Sequence, residues 1–437
     1  MKSFRQIGLL LFLVCFVIQI SFSQDVLTLE EAIQTGLENN YNIRISRNNE
    51  AIAANSNTYG NAGFLPRLNT TTSLSYSSSN TVQKLFSGDE RIGKGAGNTN
   101  LRSGLALNWT AFDGFAMFAV KERLDLQEQR SQAFTQRAMH DLVSQIENIY
   151  YGIVRIRQQV DIREQSIQLN RDLQELAEAK LKIGTGTALQ VLQTTNRVNA
   201  DSSALLNQID QLNQAKISLN RMMGRDPQTA FDVSPDVPQS LLPTLSELTQ
   251  LAIQQNHDAK LLEYEEQIAL TQIKEARSVL YPQVDLNAGY NYSFSKAEIG
   301  FALSNRSYGP TIGIGVSYDI FSGRNIKKDL DNAEIFKQNV LLSKKELEED
   351  LRADLAVRYQ DYIALQELLE LERRNVTTAE QNTSLARQLY RSGRATNFDV
   401  REAILTEIQV KDRLSDVQYR QKVTEIELKR LAGIPLY

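Results

Sequence analysis

The sequence is poorest in the residues that carry most chemistry: one cysteine, two histidines and one tryptophan in 437 residues. Cys15 lies in an apolar run from Ile7 to Ile20, preceded by Lys2 and Arg5 and followed by Ser21-Phe22-Ser23, the pattern of a secretory signal peptide over residues 1–23. Val14 before Cys15, where a small residue would be needed, argues against a lipid anchor there. The mature chain then has no thiol, which excludes disulfides, cysteine nucleophiles and zinc-thiolate sites. Neither His140 nor His257 belongs to a His-Glu-x-x-His pattern, and no Gly-x-Ser-x-Gly elbow occurs. An enzyme, a cofactor and a metal centre are therefore not expected. Basic excess is missing too. Removing Lys2 and Arg5 from 48 basic residues leaves 46 against 52 acidic ones, a net charge of −6, so no nucleic-acid partner is expected. No later stretch is long and apolar enough to span a bilayer as a helix.

Against these absences stands a duplication. Thr28-x-x-Glu31, Asn40 and Pro66 return 216 residues later as Thr244-x-x-Glu247, Asn256 and Pro282, while Gly114, Gly184 and Gly224 return 209 residues later as Gly323, Gly393 and Gly433. The halves read as 24–224 and 244–437, joined by a linker over 225–243 that holds Pro227, Pro235 and Pro238, with Pro243 at its end. Each half opens on a capped helix that stops at its asparagine. A second helix of about 25 residues is expected to end before each proline.

After the prolines the period changes from 3.6 to 2. Val284, Leu286, Ala288, Tyr290, Tyr292 and Phe294 alternate with polar or small residues, and Ile312, Ile314, Val316, Tyr318 and Ile320 do so again. Strands are expected over ~283–295 and ~310–320, with weaker counterparts over ~67–78 and ~101–111. Between the latter, Ser77 to Asn100, including Gly93-Lys94-Gly95-Ala96-Gly97, reads as a flexible exposed loop. A soluble sandwich would also use one apolar face. The strand length suits a bilayer crossing, however, and Trp109, Phe112, Tyr318 and Phe321 gather where an interfacial aromatic girdle would sit.

Gly114 to Gly184 and Gly323 to Gly393 run without proline, predicting helices of about 100 Å. Leu142, Ile146, Ile149, Ile153, Ile156 and Val160 form a coiled-coil seam, echoed by Leu355, Tyr359, Tyr362, Leu369 and Val376. Each helix reverses at its glycine, giving helical hairpins over ~115–223 and ~324–432. Four lipid-facing strands would leave two unpaired edges, so more than one copy is required.

In this order of elements the chain resembles the TolC-like outer-membrane efflux factors. The sharpest local match is Leu181-Lys182-Ile183-Gly184-Thr185-Gly186-Thr187-Ala188-Leu189-Gln190-Val191 with its partner Tyr390-Arg391-Ser392-Gly393-Arg394-Ala395-Thr396-Asn397-Phe398-Asp399-Val400. Phe112-Asp113-Gly114 and Phe321-Ser322-Gly323 are similar to the family's strand-to-helix junctions. The resemblance implies a mainly α fold with a membrane β part. Its duplicated halves would supply a periplasmic α-barrel and four strands per protomer of a shared 12-stranded transmembrane barrel, in a homotrimer. It implies an exit duct of a tripartite efflux pump or type I secretion system, located in the outer membrane with its helical tunnel in the periplasm. The partners implied are a periplasmic adaptor, an inner-membrane pump of the RND, ABC or MFS type, and outer-membrane lipid.

The resemblance also implies a periplasmic gate. Its carboxylates fall on Asp399 and Glu402, and a closing tyrosine falls on Tyr390. The family's arginine is displaced, with Arg394 one residue before Ala395, and the equivalent first-half positions are Gln190 and Gln193. The tips Gly184, Thr185, Gly186, Gly393 and Arg394 would dock the adaptor. Plainer readings remain open: acids in a first helical turn complement the dipole, and tight turns need glycine without any partner. A non-conducting coiled-coil stalk on a trimeric barrel, a structural or adhesive surface protein, is the alternative function.

Overall fold

The computed structural model describes residues 26–238 and 240–435, so the expected signal peptide lies outside the described residues. The described residues divide into two compact units, one drawn from 26–45, 137–238, 240–256 and 350–435, the other from 46–136 and 257–349.

In the first unit, α1 (Leu29–Asn39) and α5 (Leu245–Gln255) begin with complete capping boxes, the Thr28 and Thr244 hydroxyls accepting from the amides of Glu31 and Glu247. The duplication is visible bond by bond. Asn40 Nδ2 donates to Met222 O at 2.8 Å, and Asn256 Nδ2 donates to Leu431 O at 3.0 Å. Gly224 and Gly433, both at φ 69°, sit against the carbonyls of Asn39 and Gln255, where a Cβ would come within 2.6 and 2.5 Å. These sites need glycine twice over, for the left-handed backbone and for the close approach.

The seam of α3 (Ala116–Lys182) enters the largest core, where Ile146, Ile153 and Val154 are fully buried beside Leu219 of α4 (Ala188–Met222). The proline-bearing linker is part of that core. Phe231 and Val233 are buried in it, and β4 (Asp232–Val233) pairs in parallel with β1 (Val26–Leu27). The partner seam lies in α7 (Asn325–Arg391), with Leu355, Tyr362 and Leu369 buried, and α8 (Asn397–Ala432) completes the set.

The second unit holds a four-stranded antiparallel sheet in the order β2 (Arg67–Lys84), β3 (Glu90–Asp113), β5 (Gln283–Ala297), β6 (Ser304–Ser317). Here the sequence reading needs correction. The first hairpin reaches Lys84 and restarts at Glu90, so Ser77 to Asn100 is mostly strand and not an exposed loop. Beyond the apolar rows both faces are polar, which removes the alternation, yet backbone pairing continues from Ser77↔Asn98 to Lys84↔Glu90. Gly95, at φ 66°, lies by a register shift at Ser79/Thr81, a β-bulge that uses the glycine run. The turn is short, closed by Leu85 N to Asp89 O at 2.8 Å.

Two further expectations change. β6 stops at Ser317, where its hairpin partner stops at Gln283, leaving Tyr318 to Phe321 outside the strand. The second helix is 16 residues in the first half, α2 (Tyr41–Ser56), against 22 in the second, α6 (His257–Ser278). Asn57 leaves the helix to donate to Asp125 and Glu128, and Gly63 takes φ 95°, so the chain turns well before Pro66.

Candidate functional site

Register places the apolar residues of all four strands on one face. Leu68, Leu107, Ala288 and Ile312 form one row across the sheet, and Trp109, Leu286 and Ile314 another. The opposite face carries Asn69, Ala106, Gly289 and Thr311, then Thr71, Gly104, Asn291 and Gly309. The apolar face is uncovered in the single chain, with Ile312 89% and Leu68 68% exposed. Among the described residues the edge strands β2 and β6 each lack a neighbour on one side. An apolar face, a polar face and two open edges leave this sheet unfinished as a single copy.

Of the expected girdle residues, Trp109 lies in β3 and donates from its indole to Phe64 O at 2.9 Å, while Phe112 packs edge-on against Phe115 at 5.1 Å. Tyr318 and Phe321 are 57% and 83% exposed. The reading from sequence missed a further group of rings beside them. Tyr59, Phe64, Phe118, Phe115 and Tyr281 form a continuous chain of ring contacts, with the Lys121 ammonium 5.5 Å from the Tyr59 ring. The recurrence of Phe112, Phe115 and Phe118 at three-residue spacing was the available signal. Phe115 and Arg324, equivalent in the two halves, both follow a glycine with φ near 70°, at 71° and 67°.

In the other unit, both hairpin tips close by the same device. Thr185 and Gly186 amides donate to Lys180 O at 2.9 Å, and the Arg394 amide donates to Leu389 O at 2.9 Å. Gly184 and Gly393 take φ 76° and 78° with no atom near the position of a Cβ, so backbone conformation alone requires them. Both return helices start with capping boxes. Thr187 pairs with Gln190, and Thr396 pairs with Asp399, whose carboxylate accepts from the Thr396 hydroxyl and amide, both at 2.7 Å. The hydrogen bond from the Thr396 hydroxyl, then that from its amide, holds Asp399 below its ordinary pKa. Asp399 is therefore anionic at neutral pH.

Asp399, Glu402, Arg394 and Gln193 are all exposed, with Gln190 half-buried. Tyr390 is placed differently. It is 3% exposed, packed with Val400 and Ile404, and its hydroxyl has no hydrogen-bond partner among the described residues. Lys180 donates to its carbonyl at 2.9 Å and stands 3.5 Å from its ring, which ties the two tips together.

The same unit contains a buried charge cluster that no motif announced. Lys422 Nζ donates to Pro238 O and to Glu425, both at 3.0 Å, and Lys429 donates to Glu425 at 2.8 Å. Glu147, 5% exposed, faces this group with one oxygen unpartnered. Burial, opposed by Lys422 and Lys429 and reinforced by Glu425, pushes its pKa from 4.5 up to about 7. The folded chain thus holds this proton more tightly than the unfolded chain does. That stabilisation is complete below pH 4.5 and is lost as pH rises toward 7. Glu147→Gln should remove about 2–3 kcal/mol of pH dependence across that window in thermal unfolding scans. Asp412, also raised by burial, leaves a smaller slope of the same sign. An unchanged slope in the variant would assign the proton elsewhere.

Among the described residues no helix is long and apolar enough to cross a membrane, and no group of His, Cys, Asp or Glu is arranged to hold a metal ion. The sequence matches the outer membrane efflux protein family over residues 32–225 and 248–434. It is 24% identical over 390 residues to the proteases secretion protein PrtF of Dickeya chrysanthemi, covering 86% of this chain and 81% of that protein. Identity to the cation efflux system protein CusC of Escherichia coli (strain K12) is 25% over 305 residues, 68% of this chain and 65% of that protein. The fold is similar to a crystal structure of CusC, with TM-score 0.75, 19% identity and coverage of 93% of this chain and 92% of that one. It is also similar to VceC from Vibrio cholerae, with TM-score 0.72, 18% identity and coverage of 94% and 97%.

Proposed function

Since the chain belongs to the outer membrane efflux protein family, and so to the outer membrane, we propose that it is the exit duct of a tripartite efflux or type I secretion assembly. The observation that carries this reading is the in-register apolar face on a sheet with two open edges. Such a sheet is costly in lipid until its edges are paired, because each unsatisfied backbone group costs several kcal/mol there. Three copies would close twelve strands into a barrel, each half of the chain, 24–224 and 244–437, supplying one strand hairpin and one helical hairpin about the linker 225–243. Twelve strands suffice to leave an aqueous lumen lined by the polar face, where eight would be filled by side chains.

The duct is passive. It takes substrate from an inner-membrane pump through a periplasmic adaptor, which docks on the tips at Gly184 to Gly186 and Gly393 to Arg394. The names of two relatives refer to protease secretion and to cation efflux. Substrate choice therefore rests with the pump and not with this chain.

At the tips, Asp399 and Glu402 present carboxylates in one turn of α8, three residues apart on one face. Three copies give six carboxylates, and the Thr396 bonds keep Asp399 charged. Gln190 and Gln193 add none, so the ring belongs to the second half alone. Tyr390, fixed by Lys180, serves the gate by holding the two tips together from inside the protomer. Asp399→Asn with Glu402→Gln retains acceptor oxygens and should leave the cap intact. In planar-bilayer recordings this variant should lose most of its preference for cations over anions. Selectivity equal to the parent's would place both residues away from the conduction path.

A further inference from the structure

The polar face of the sheet is poor in charge, and the exception is a single residue. From the row of Asn69 to the row of Ser77, Arg102 is the only charged side chain that register places on this face among the described residues. It stands in a row of hydroxyls, opposite Ser73 on β2 and Ser293 on β5, with Ser307 on β6 beyond. The side chain is exposed, and no hydrogen bond or ion pair holds its guanidinium among the described residues. It therefore adds no ion pair to the stability of the sheet. On β5 the closest carboxylate along this face is Asp285, about 26 Å from Ser293 at ~3.3 Å per residue, or some three screening lengths of ~8 Å in physiological salt. Asp285 lies in the row next to that of Arg67, and those two charges offset each other at the far end of the face. Glu298, in the loop after β5, is turned to the Gly97 amide at 2.7 Å. The charge of Arg102 is thus left unbalanced at its own level. The displacement of 209 residues that relates β3 to β6 carries Arg102 onto Thr311, so this charge occurs once per chain.

Resting on the duct reading, we propose that Arg102 is a charge-selecting residue of the barrel lumen: one from each copy makes a cationic belt that attracts anions and opposes the carboxylate ring of the tips. The dimensions suit such a belt. Twelve strands spaced ~4.8 Å apart and tilted about 40° enclose a circumference of about 75 Å, a backbone radius of about 12 Å. A guanidinium that reaches inward by more than about 4 Å then stands within one screening length of the axis. A solute on the axis meets all three charges. The chemistry suits anions, because the flanking serine hydroxyls donate to them as the guanidinium does, while a cation finds no carboxylate in these rows.

The test is the reversal potential under a salt gradient across a planar bilayer. Arg102→Gln should raise the cation-to-anion permeability ratio about threefold, the order expected of three unit charges seen through a few ångströms of water and salt. The same factor should appear in the Asp399→Asn, Glu402→Gln background, because belt and ring belong to different units of the chain. Arg102→Lys keeps the charge and should keep the parent's ratio. Arg306→Gln, in the row of Phe294 on the apolar face, should leave the ratio as it was. A conducting Arg102→Gln oligomer with the parent's reversal potential would overturn the belt and leave the duct standing. An equal response to Arg306→Gln would reverse the assignment of the two faces and remove the belt with it. An assembled parent oligomer that carries no current would sink the duct reading itself.

Discussion

Lys422→Met should cost the folded protein about 3 kcal/mol, the lower end of the range for removing one partner of a buried ion pair. Lys422 is 7% exposed and Glu425 4%, so neither charge is hydrated. Its loss leaves Pro238 O without this donor and Glu425 with Lys429 as its remaining lysine partner. That second lysine keeps the effect from reaching the upper end of the range. The carbonyl concerned belongs to the linker, so release should be seen first there, as faster amide exchange over 229–241. A loss below about 1 kcal/mol in denaturant titrations would mean that water reaches the cluster, since exposed pairs contribute no more than that.

Ile314→Arg should act on assembly. Ile314 sits on the apolar face in the row of Trp109, toward the end of its strand, and an arginine facing lipid between midplane and interface costs about 1–2 kcal/mol per copy. Summed over the three copies proposed, about 3–6 kcal/mol, this reaches the lower end of the stability of an ordinary domain. Folded oligomer in the outer membrane should fall by tenfold or more. On the other face the adjacent Gly315 has open space where a Cβ would stand, so Gly315→Ser should assemble normally. Equal tolerance of both changes would remove the lipid-facing assignment of this strand.

The parts legible from sequence were those with a local cause. Thr28 with Glu31 and Thr244 with Glu247 announce their helices because a capping box lies within four residues. Gly184 and Gly393 mark turns because only glycine enters the left-handed region freely. The apolar strands declared themselves by alternation. What stayed hidden depended on partners distant in the chain. Ser77 to Lys84 is a strand because Glu90 to Asn98 pairs with it, and nothing in a run of serines says so. Tyr390 carried a family role in the sequence, yet its burial follows from Val400 and Ile404 across the tip. Nothing near Glu147 in the sequence marks it as buried, because Lys422, Glu425 and Lys429 reach it from α8. Asp399 was read in both a structural and a gating sense, and its cap bonds support the first without opposing the second, because they keep its charge.

The most direct test is single-channel recording of the purified wild-type oligomer in a planar bilayer. A duct should give long-lived, ohmic conductance steps that favour cations, in keeping with the carboxylates at its tips. A properly assembled oligomer that inserts and passes no current would contradict the account and make the protein a stalk.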